Sequence, residues 1–338
     1  MAGLFGLIRR MDTKKMRATA AKVAEESGKS KLGVLTDMVW CGLRYEAGYS
    51  DYALFHMWQM NHKQRASVLT RGKNNRYVRA LNKQEDMHYF AEKTEFLKAF
   101  APYVGRQWLD LREADAGQLK EMLTTLGVVL VKPQDATHGD GVEKIYDNDV
   151  QDYQALLERL RGSGQTLCEE VICQHPELNR LWPGCINTVR LVTICKDGVG
   201  HIVASFLRVG SGDKPVDNFN SGGMVAPLDP ATGVVLCRAV NKAGAQFEAH
   251  PGTGTVFEGF QVPLWDQVTA LAQEAAGVIS GVRYVGWDVA VTPAGPVLVE
   301  GNQYPGHDIY GLPGQSAEQM GVLPAFEKVI SLKELKKL

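Results

Sequence analysis

The stretch from Tyr284 to Gly306 constrains the fold more than any other part of the chain; it reads YVGWDVAVTPAGPVLVEGNQYPG. Apolar side chains alternate with small or polar ones from Trp287 to Thr292, which is the period of two expected of a pleated strand. Thr292-Pro293-Ala294-Gly295 has the composition of a turn, because proline presets one turn angle and glycine tolerates a positive one. The segment from Pro296 to Glu300 is therefore predicted to return as an antiparallel strand.

Three oxygen-bearing side chains, Asp288, Glu300 and Asn302, are predicted to meet on this hairpin. Each lies in an apolar run, where an ionised carboxylate is costly to bury unless it is paired or binds a metal. Proteins bind Mg²⁺ through one or two carboxylates, together with water and substrate phosphates. The residues leave two interpretations open: a magnesium site, or a hairpin whose acids face water.

Length and charge exclude several classes of protein. The 338 residues suffice for two domains, or for one large domain with an appendage. A net charge of -1 argues against a dedicated nucleic-acid-binding protein. No apolar run is long enough to span a membrane, the N-terminus has no secretory signal, and the six cysteines form no CxxC pair. A cytoplasmic protein is expected.

Residues 1–35 combine apolar and basic side chains, with Leu4, Phe5, Leu7 and Ile8 ahead of an excess of lysine and arginine. Such a segment suits peripheral contact with an anionic membrane surface. A solvated helix packed on its own domain explains the same pattern and is the simpler interpretation. Helical periodicity continues through residues 31–125, so a helical N-terminal region is predicted.

Strand and loop signals begin at Val128. Residues 128–133, VVLVKP, are predicted to form a buried strand ending at Lys132, and a glycine-containing loop at 134–142 leads to a second strand at 143–146. Free backbone N–H groups in a loop beside a lysine are typical of phosphate binding. An ordinary hairpin loop is the alternative.

Further polar side chains follow within apolar strands. The segment 166–173, TLCEEVIC, is a predicted strand, and the segments 187–195 and 199–209 are predicted to pair as a hairpin that carries Arg190 and Arg208. An arginine on a sheet face either pairs with a structural carboxylate or recognises phosphate or carboxylate groups. The glycine-rich loop 210–223 is long enough to be a lid.

The chain contains, in order, a strand ending in a lysine, an acidic strand, a hairpin with two arginines and a hairpin with a D…ExN pattern. This order resembles that of the ATP-grasp superfamily. The segments NTVRLVT, NFNSGG, VGWDVAV and VLVEGNQYPG are similar to the sugar-transfer associated ATP-grasp family. The resemblance implies an α+β ATP-grasp fold, with two α+β subdomains that grip ATP between antiparallel sheets. It implies a helical N-terminal region at 1–100, a small lid subdomain at 101–170, and a C-terminal subdomain with the metal site at 171–338.

The resemblance also implies roles for individual residues. Phosphate contacts would come from Lys93, Lys132 and the loop containing His138, Gly139 and Gly141. The adenine hinge would be Glu169, Glu170, Val171 and Ile172, with Glu177 at the ribose. Asp288, Glu300 and Asn302 would bind two Mg²⁺ ions, and Arg190 and Arg208 would supply catalytic charge. Many ligases of the superfamily place an arginine just before the metal aspartate, whereas Gly286-Trp287 stand here.

The implied activity is that of an ATP-dependent carboxylate–amine ligase, which forms an amide through an acylphosphate and acts on small-molecule carboxylate and amine substrates. The alternatives are a phosphotransferase acting on a hydroxyl group and a non-catalytic nucleotide-binding protein. Lys132, Asp288, Glu300 and Asn302 are all present, which argues against the last alternative, since a decayed site is expected to lose at least one of them. His138 and His307 are each a candidate base for the acceptor or an ordinary loop residue.

Overall fold

The computed structural model of the chain describes residues 12–134, 141–212, 217, 219, 222–316 and 318–337. The chain divides into two compact units, which we name the helical unit (Met1–Ala80 with Gly306–Leu338) and the sheet unit (Leu81–Pro305). The three consecutive segments expected from the sequence stay a prediction. The compact units group the two ends of the chain together, which a division into consecutive segments does not anticipate.

The helical unit is built from helices with well-defined ends. Its first helix begins after Asp12, whose side chain accepts a hydrogen bond from the Lys15 N–H, and ends at Gly28 in the left-handed conformation. The second begins after Ser30, whose side chain accepts from the Gly33 N–H. The helices are α1 (Thr13–Ser27), α2 (Lys31–Tyr45), α3 (Tyr49–Leu54), α4 (His62–Ser67), α5 (Arg71–Leu81) and, near the C-terminus, α13 (Leu323–Val329).

Two contacts tie the C-terminal segment into the helical unit. The hydroxyl group of Tyr77 donates to the carbonyl oxygen of Ile330 at 2.8 Å. The buried carboxylate of Asp51 lies 2.8 Å from Nε2 of His307. The last helix begins at Leu323-Pro324, where a proline costs no hydrogen bond.

The smaller sheet of the sheet unit contains β1 (Trp108–Asp110), β2 (Val128–Lys132), β3 (Glu143–Tyr146) and β4 (Leu167–Glu170), in the antiparallel order β1-β4-β2-β3. Helices α9 (Ala116–Leu126) and α10 (Tyr153–Gly162) bury leucines against Val129 and Val131. Gly127 ends α9 in the left-handed conformation. The short helices of this unit are α6 (His88–Ala91), α7 (Lys93–Ala99), α8 (Ala101–Val104) and α11 (Pro176–Leu181).

The larger sheet is also antiparallel, in the order β11-β10-β5-β6-β7-β8-β9. Its strands are β5 (Val189–Lys196), β6 (Val199–Val209), β7 (Met224–Pro227), β8 (Ala239–Asn241), β9 (Gln246–Phe247), β10 (Tyr284–Thr292) and β11 (Gly295–Asn302). Leu191, Leu207 and Trp287 belong to an apolar core shared with α12 (Trp265–Ala275). Because successive side chains of a strand point to opposite faces of the sheet, the polar neighbours of these three residues, Arg190, Arg208 and Asp288, share the other face. The two predicted hairpins and the α+β class are confirmed.

Among the described residues, no helix combines the length and the apolar composition that crossing a bilayer requires.

Candidate functional site

The register of the larger sheet brings the predicted metal-binding side chains together. Asp288 on β10 lies opposite Glu300 on β11, and Gly286 lies opposite Asn302. A bulge follows, because Val289 pairs with Leu298 and leaves an extra residue in β11. On its other side β10 pairs with β5, which places Arg190 opposite Asp288. One patch of the sheet therefore contains all four polar groups.

Asp288 is buried and is held by two arginines. Arg190 donates to its two carboxylate oxygens, from Nε at 2.5 Å and from Nη2 at 2.9 Å. Arg208 donates to it from Nη1 at 2.8 Å. Burial alone would raise the pKa of Asp288, but the two guanidinium groups hold that pKa below its ordinary value. Asp288 is therefore ionised at neutral pH.

Glu300 behaves differently from Asp288, although the two carboxyl groups share a hydrogen bond. The surrounding protein atoms and the neighbouring Asp288 carboxylate raise the pKa of Glu300 to about 7. Because solvent reaches the Glu300 side chain, we attribute the rise in its pKa mainly to the like charge of Asp288 and less to burial. Asn302 supports the arrangement by donating from Nδ2 to the Glu300 carboxyl group and to the carbonyl oxygen of Gly286, both at 3.3 Å.

A buried aspartate that sequence reasoning missed, Asp217, completes this network. Its carboxylate accepts hydrogen bonds from Nη2 of Arg208 at 3.0 Å, from the Thr188 N–H at 2.9 Å and from the Thr188 hydroxyl group. Burial raises the pKa of Asp217, while Arg208 opposes that rise. The loop 210–223 contains two aspartates in the sequence, and nothing in the sequence distinguishes the one that binds Arg208.

A second ionic cluster links Lys132 of the smaller sheet to the larger one. The Lys132 ammonium group pairs with one oxygen of Glu169, and Arg106 donates to the other from Nε at 3.1 Å and from Nη2 at 2.9 Å. Arg106 also donates to the carbonyl oxygens of Leu298 at 2.6 Å and Val299 at 3.3 Å, beside the bulge of β11. Burial alone would raise the pKa of Glu169, but the two cations lower it. No sequence pattern marks Arg106.

The remaining residues assigned by resemblance occupy varied positions. Lys93 donates to the carbonyl oxygen of Gln134 at 2.5 Å, and Glu170 accepts from the Gln107 N–H at 3.0 Å. Val171 and Ile172 follow β4 in a partly buried segment, whereas Glu177 is exposed and pairs with Arg180. Gly141 adopts a φ of 71°, which favours glycine. His138 and Gly139 lie outside the described residues, as does half of the predicted lid.

The donor set at Asp288 fits magnesium that is shared with a phosphate ligand. Across the described part of the chain, no group of three or more His, Cys, Asp or Glu side chains is arranged to hold a metal ion. The two carboxylates and the Asn302 amide, which are predicted ligands, would therefore fill only part of a magnesium shell. Mg²⁺ commonly completes such a shell with water and substrate phosphates.

Comparison with known proteins identifies the family. The sequence model for sugar-transfer associated ATP-grasp proteins matches residues 72–329. The chain belongs to this family. Every residue of the sheet unit discussed above lies within the matched region of this sugar-transfer associated ATP-grasp protein, whereas the part of its helical unit before α5 lies outside it. A search of curated protein sequences found no significant match.

A search of solved structures matched ATP-grasp ligases, each at low overall similarity to this sugar-transfer associated ATP-grasp protein. PsnB complexed with the precursor peptide PsnA2 and AMPPNP matches with a TM-score of 0.44 and 14% identity, over 76% of this chain and 62% of PsnB. The chain thus spans less than two thirds of PsnB. D-alanine–D-alanine ligase from Bacillus anthracis matches with a TM-score of 0.39 and 15% identity, over 76% and 68% of the two chains. D-cycloserine synthetase DcsG matches with 0.41 and 12%, over 73% of each. The family assignment rests on the sequence model.

Proposed function

We propose that the protein is an ATP-dependent ligase that joins a small-molecule carboxylate to an amine and releases ADP and phosphate. The observation that carries this proposal is the meeting of Arg190, Arg208, Asp288 and Glu300 on one sheet face. Phosphates and carboxylates are the groups that arginine recognises best. A site with two arginines beside an acidic metal-binding patch suits a reaction between a triphosphate and a carboxylate.

The nucleotide would be held by the smaller sheet. Lys132 lies at the end of β2 and is oriented by Glu169, which Arg106 fixes in turn. This arrangement supports a role for Lys132, with Lys93 and the glycine loop, in binding ATP phosphates. The segment from Glu169 to Ile172 would contact adenine, and Glu177 the ribose.

The reaction would proceed in two displacements. An oxygen of the substrate carboxylate attacks the γ-phosphorus, and the bond to the leaving ADP oxygen breaks to give an acylphosphate. The amine then attacks the acyl carbon, phosphate leaves, and the amine loses a proton. Arg190 and Arg208 would stabilise negative charge during the phosphoryl transfer, and no covalent enzyme nucleophile is required. Magnesium, with two ions expected at Asp288, Glu300 and Asn302, supplies charge neutralisation when bound.

A screen of acid and amine pairs tests this proposal, with ADP and phosphate measured and the product identified by mass spectrometry. A ligase releases phosphate only when the amine is present. Phosphate transfer to a hydroxyl group without release of free phosphate would establish the phosphotransferase alternative instead.

Variants of the metal-binding patch provide the structural arm of the test. Glu300→Gln and Asn302→Ala are expected to abolish turnover while the thermal unfolding curve stays cooperative. Glu248→Gln is the matched control, because Glu248 is an acid of the same unit whose side chain is 83% exposed. Full activity in both patch variants would contradict the assignment of the site.

A further inference from the structure

The exposed face of α2 in the helical unit is strongly apolar. Leu32, Val39, Trp40 and Leu43 are 72%, 47%, 56% and 58% exposed, although the opposite face of the same helix buries Val34, Met38, Cys41 and Tyr45. At 3.6 residues per turn, the four exposed side chains fall within an arc of about 100°. Single exposed apolar residues are normal, but a continuous stripe marks an interaction surface.

The charges around this stripe indicate what it contacts. Lys31 and Arg44 are exposed and lie at opposite ends and on opposite flanks of the stripe. The single acid of α2, Asp37, is already engaged, because Arg65 donates to both of its oxygens at 2.7 Å. The neighbouring helix α1 exposes four basic side chains, Lys14, Lys15, Arg17 and Lys22, and two acids, Glu25 and Glu26, of which Glu26 pairs with Lys22. The surroundings of the stripe therefore carry a net positive charge.

We propose that α2 binds the surface of an anionic lipid bilayer, with its apolar stripe in the interface and its basic side chains at the level of the headgroups. Amphipathic helices that bind in this way combine an apolar face with lysine and arginine, and tryptophan is favoured at the interface. Lysine and arginine can extend their charged ends toward water while their methylene groups cover apolar surface. This inference is independent of the proposed ligase activity.

A second copy of the chain suits the stripe less well. In an antiparallel pair of α2 helices, Lys31 of one copy and Arg44 of the other would lie at the same end of the contact. In a parallel pair, each of these residues would lie at the same end as its own counterpart. Both arrangements gather positive charge at each end of the contact, which is unfavourable. An anionic surface, in contrast, complements both ends at once.

The test measures binding of the full chain to large unilamellar vesicles by flotation. The chain is expected to bind vesicles of phosphatidylcholine with 30% phosphatidylserine, to bind pure phosphatidylcholine at least tenfold more weakly, and to lose binding as salt is raised. Leu43→Glu should weaken binding about tenfold or more, because it removes apolar contact and adds a negative charge. Leu236→Glu is the matched control, since Leu236 is 50% exposed on the sheet unit.

Two further measurements separate the outcomes. The double variant Lys31→Gln, Arg44→Gln should weaken binding about 30-fold, from about 1 kcal/mol for each basic residue near the surface. Sedimentation of the free protein reports self-association. Absence of vesicle binding, equal binding by Leu43→Glu and the unchanged chain, or a dimer that Leu43→Glu dissociates would each overturn the proposal. Ligase turnover without vesicles should be equal in Leu43→Glu and the unchanged chain.

Discussion

Replacing Arg106 with alanine is expected to destabilise the sheet unit substantially. Arg106 is 4% exposed in its side chain and donates to Glu169, to the carbonyl oxygens of Leu298 and Val299, and to that of Val104. Alanine leaves these acceptors without the guanidinium group. Removing one partner of a buried ion pair costs about 3–5 kcal/mol. Because Lys132 still pairs with Glu169, we expect the low end, about 3 kcal/mol in the free energy of unfolding.

Urea denaturation followed by tryptophan fluorescence measures this change, with the denaturant slope compared between variants. Arg112→Ala is the matched control, because Arg112 pairs with Asp110 but its side chain is 52% exposed, and such pairs contribute less than about 1 kcal/mol. Arg106→Lys, which keeps the charge and loses the planar fork, should fall between the two. A cost below about 1 kcal/mol for Arg106→Ala, at an unchanged slope, would refute the reasoning.

Glu169 also makes the difference in unfolding free energy between the unchanged chain and Arg106→Ala depend on pH. Its pKa is lower in the folded protein than the ordinary value of 4.5, so the ionised form stabilises the fold. This contribution is fully present above the unfolded pKa and is lost as pH falls through the folded pKa. The difference in stability between the unchanged chain and Arg106→Ala should therefore narrow below about pH 4.5.

Three other outcomes are expected. Gly200→Ala should destabilise the fold by about 1–3 kcal/mol, because a Cβ there would lie 2.4 Å from the Gln273 carbonyl oxygen. Gly162→Ala should instead stabilise the fold by up to about 1 kcal/mol, because Gly162 lies in a helix with no atom within 4 Å of the added carbon. Thermal unfolding of the two variants measures both effects. NMR titration of the nucleotide-free protein should show Glu300 titrating at about 7, and Asp288→Asn should lower that pKa. Because the folded pKa of Glu300 lies above 4.5, the fold loses stability as pH rises from 4.5 to about 7, and Glu300→Gln should remove that loss. Asp217→Asn should lower turnover about 10–100-fold and should also lower the melting temperature, since the buried Arg208 loses a charged partner. Unchanged turnover would contradict this positioning role.

The hairpins illustrate how far the sequence alone reaches. Alternation and turn composition predicted the β10–β11 pair and the β5–β6 pair, and the structure confirms both. The roles of Asp288, Glu300 and Asn302 as metal ligands stay predictions, but their proximity follows directly from the hairpin register. These features are local, because a turn and two strands of known period fix which side chains are opposite each other.

Other parts of the site could not be read in this way. Arg190 and Asp288 are 98 residues apart in the chain, and Arg106 and Glu169 are 63 apart. Their pairing depends on which strands become neighbours and on where the β11 bulge falls. Asp217 had no distinguishing signal in its loop, and the union of the two chain ends in the helical unit had none either.

The sequence by itself determined the secondary structure types, the two hairpins and the kinds of side chain available, because periodicity and turn chemistry act over a few neighbouring residues. Only the tertiary structure decided that Asp288 is shared by two arginines and that Lys132 is joined through Glu169 and Arg106 to the strand carrying Glu300. The reason is physical: an ion pair between distant residues forms only where strand order and register place its charges within a few ångströms.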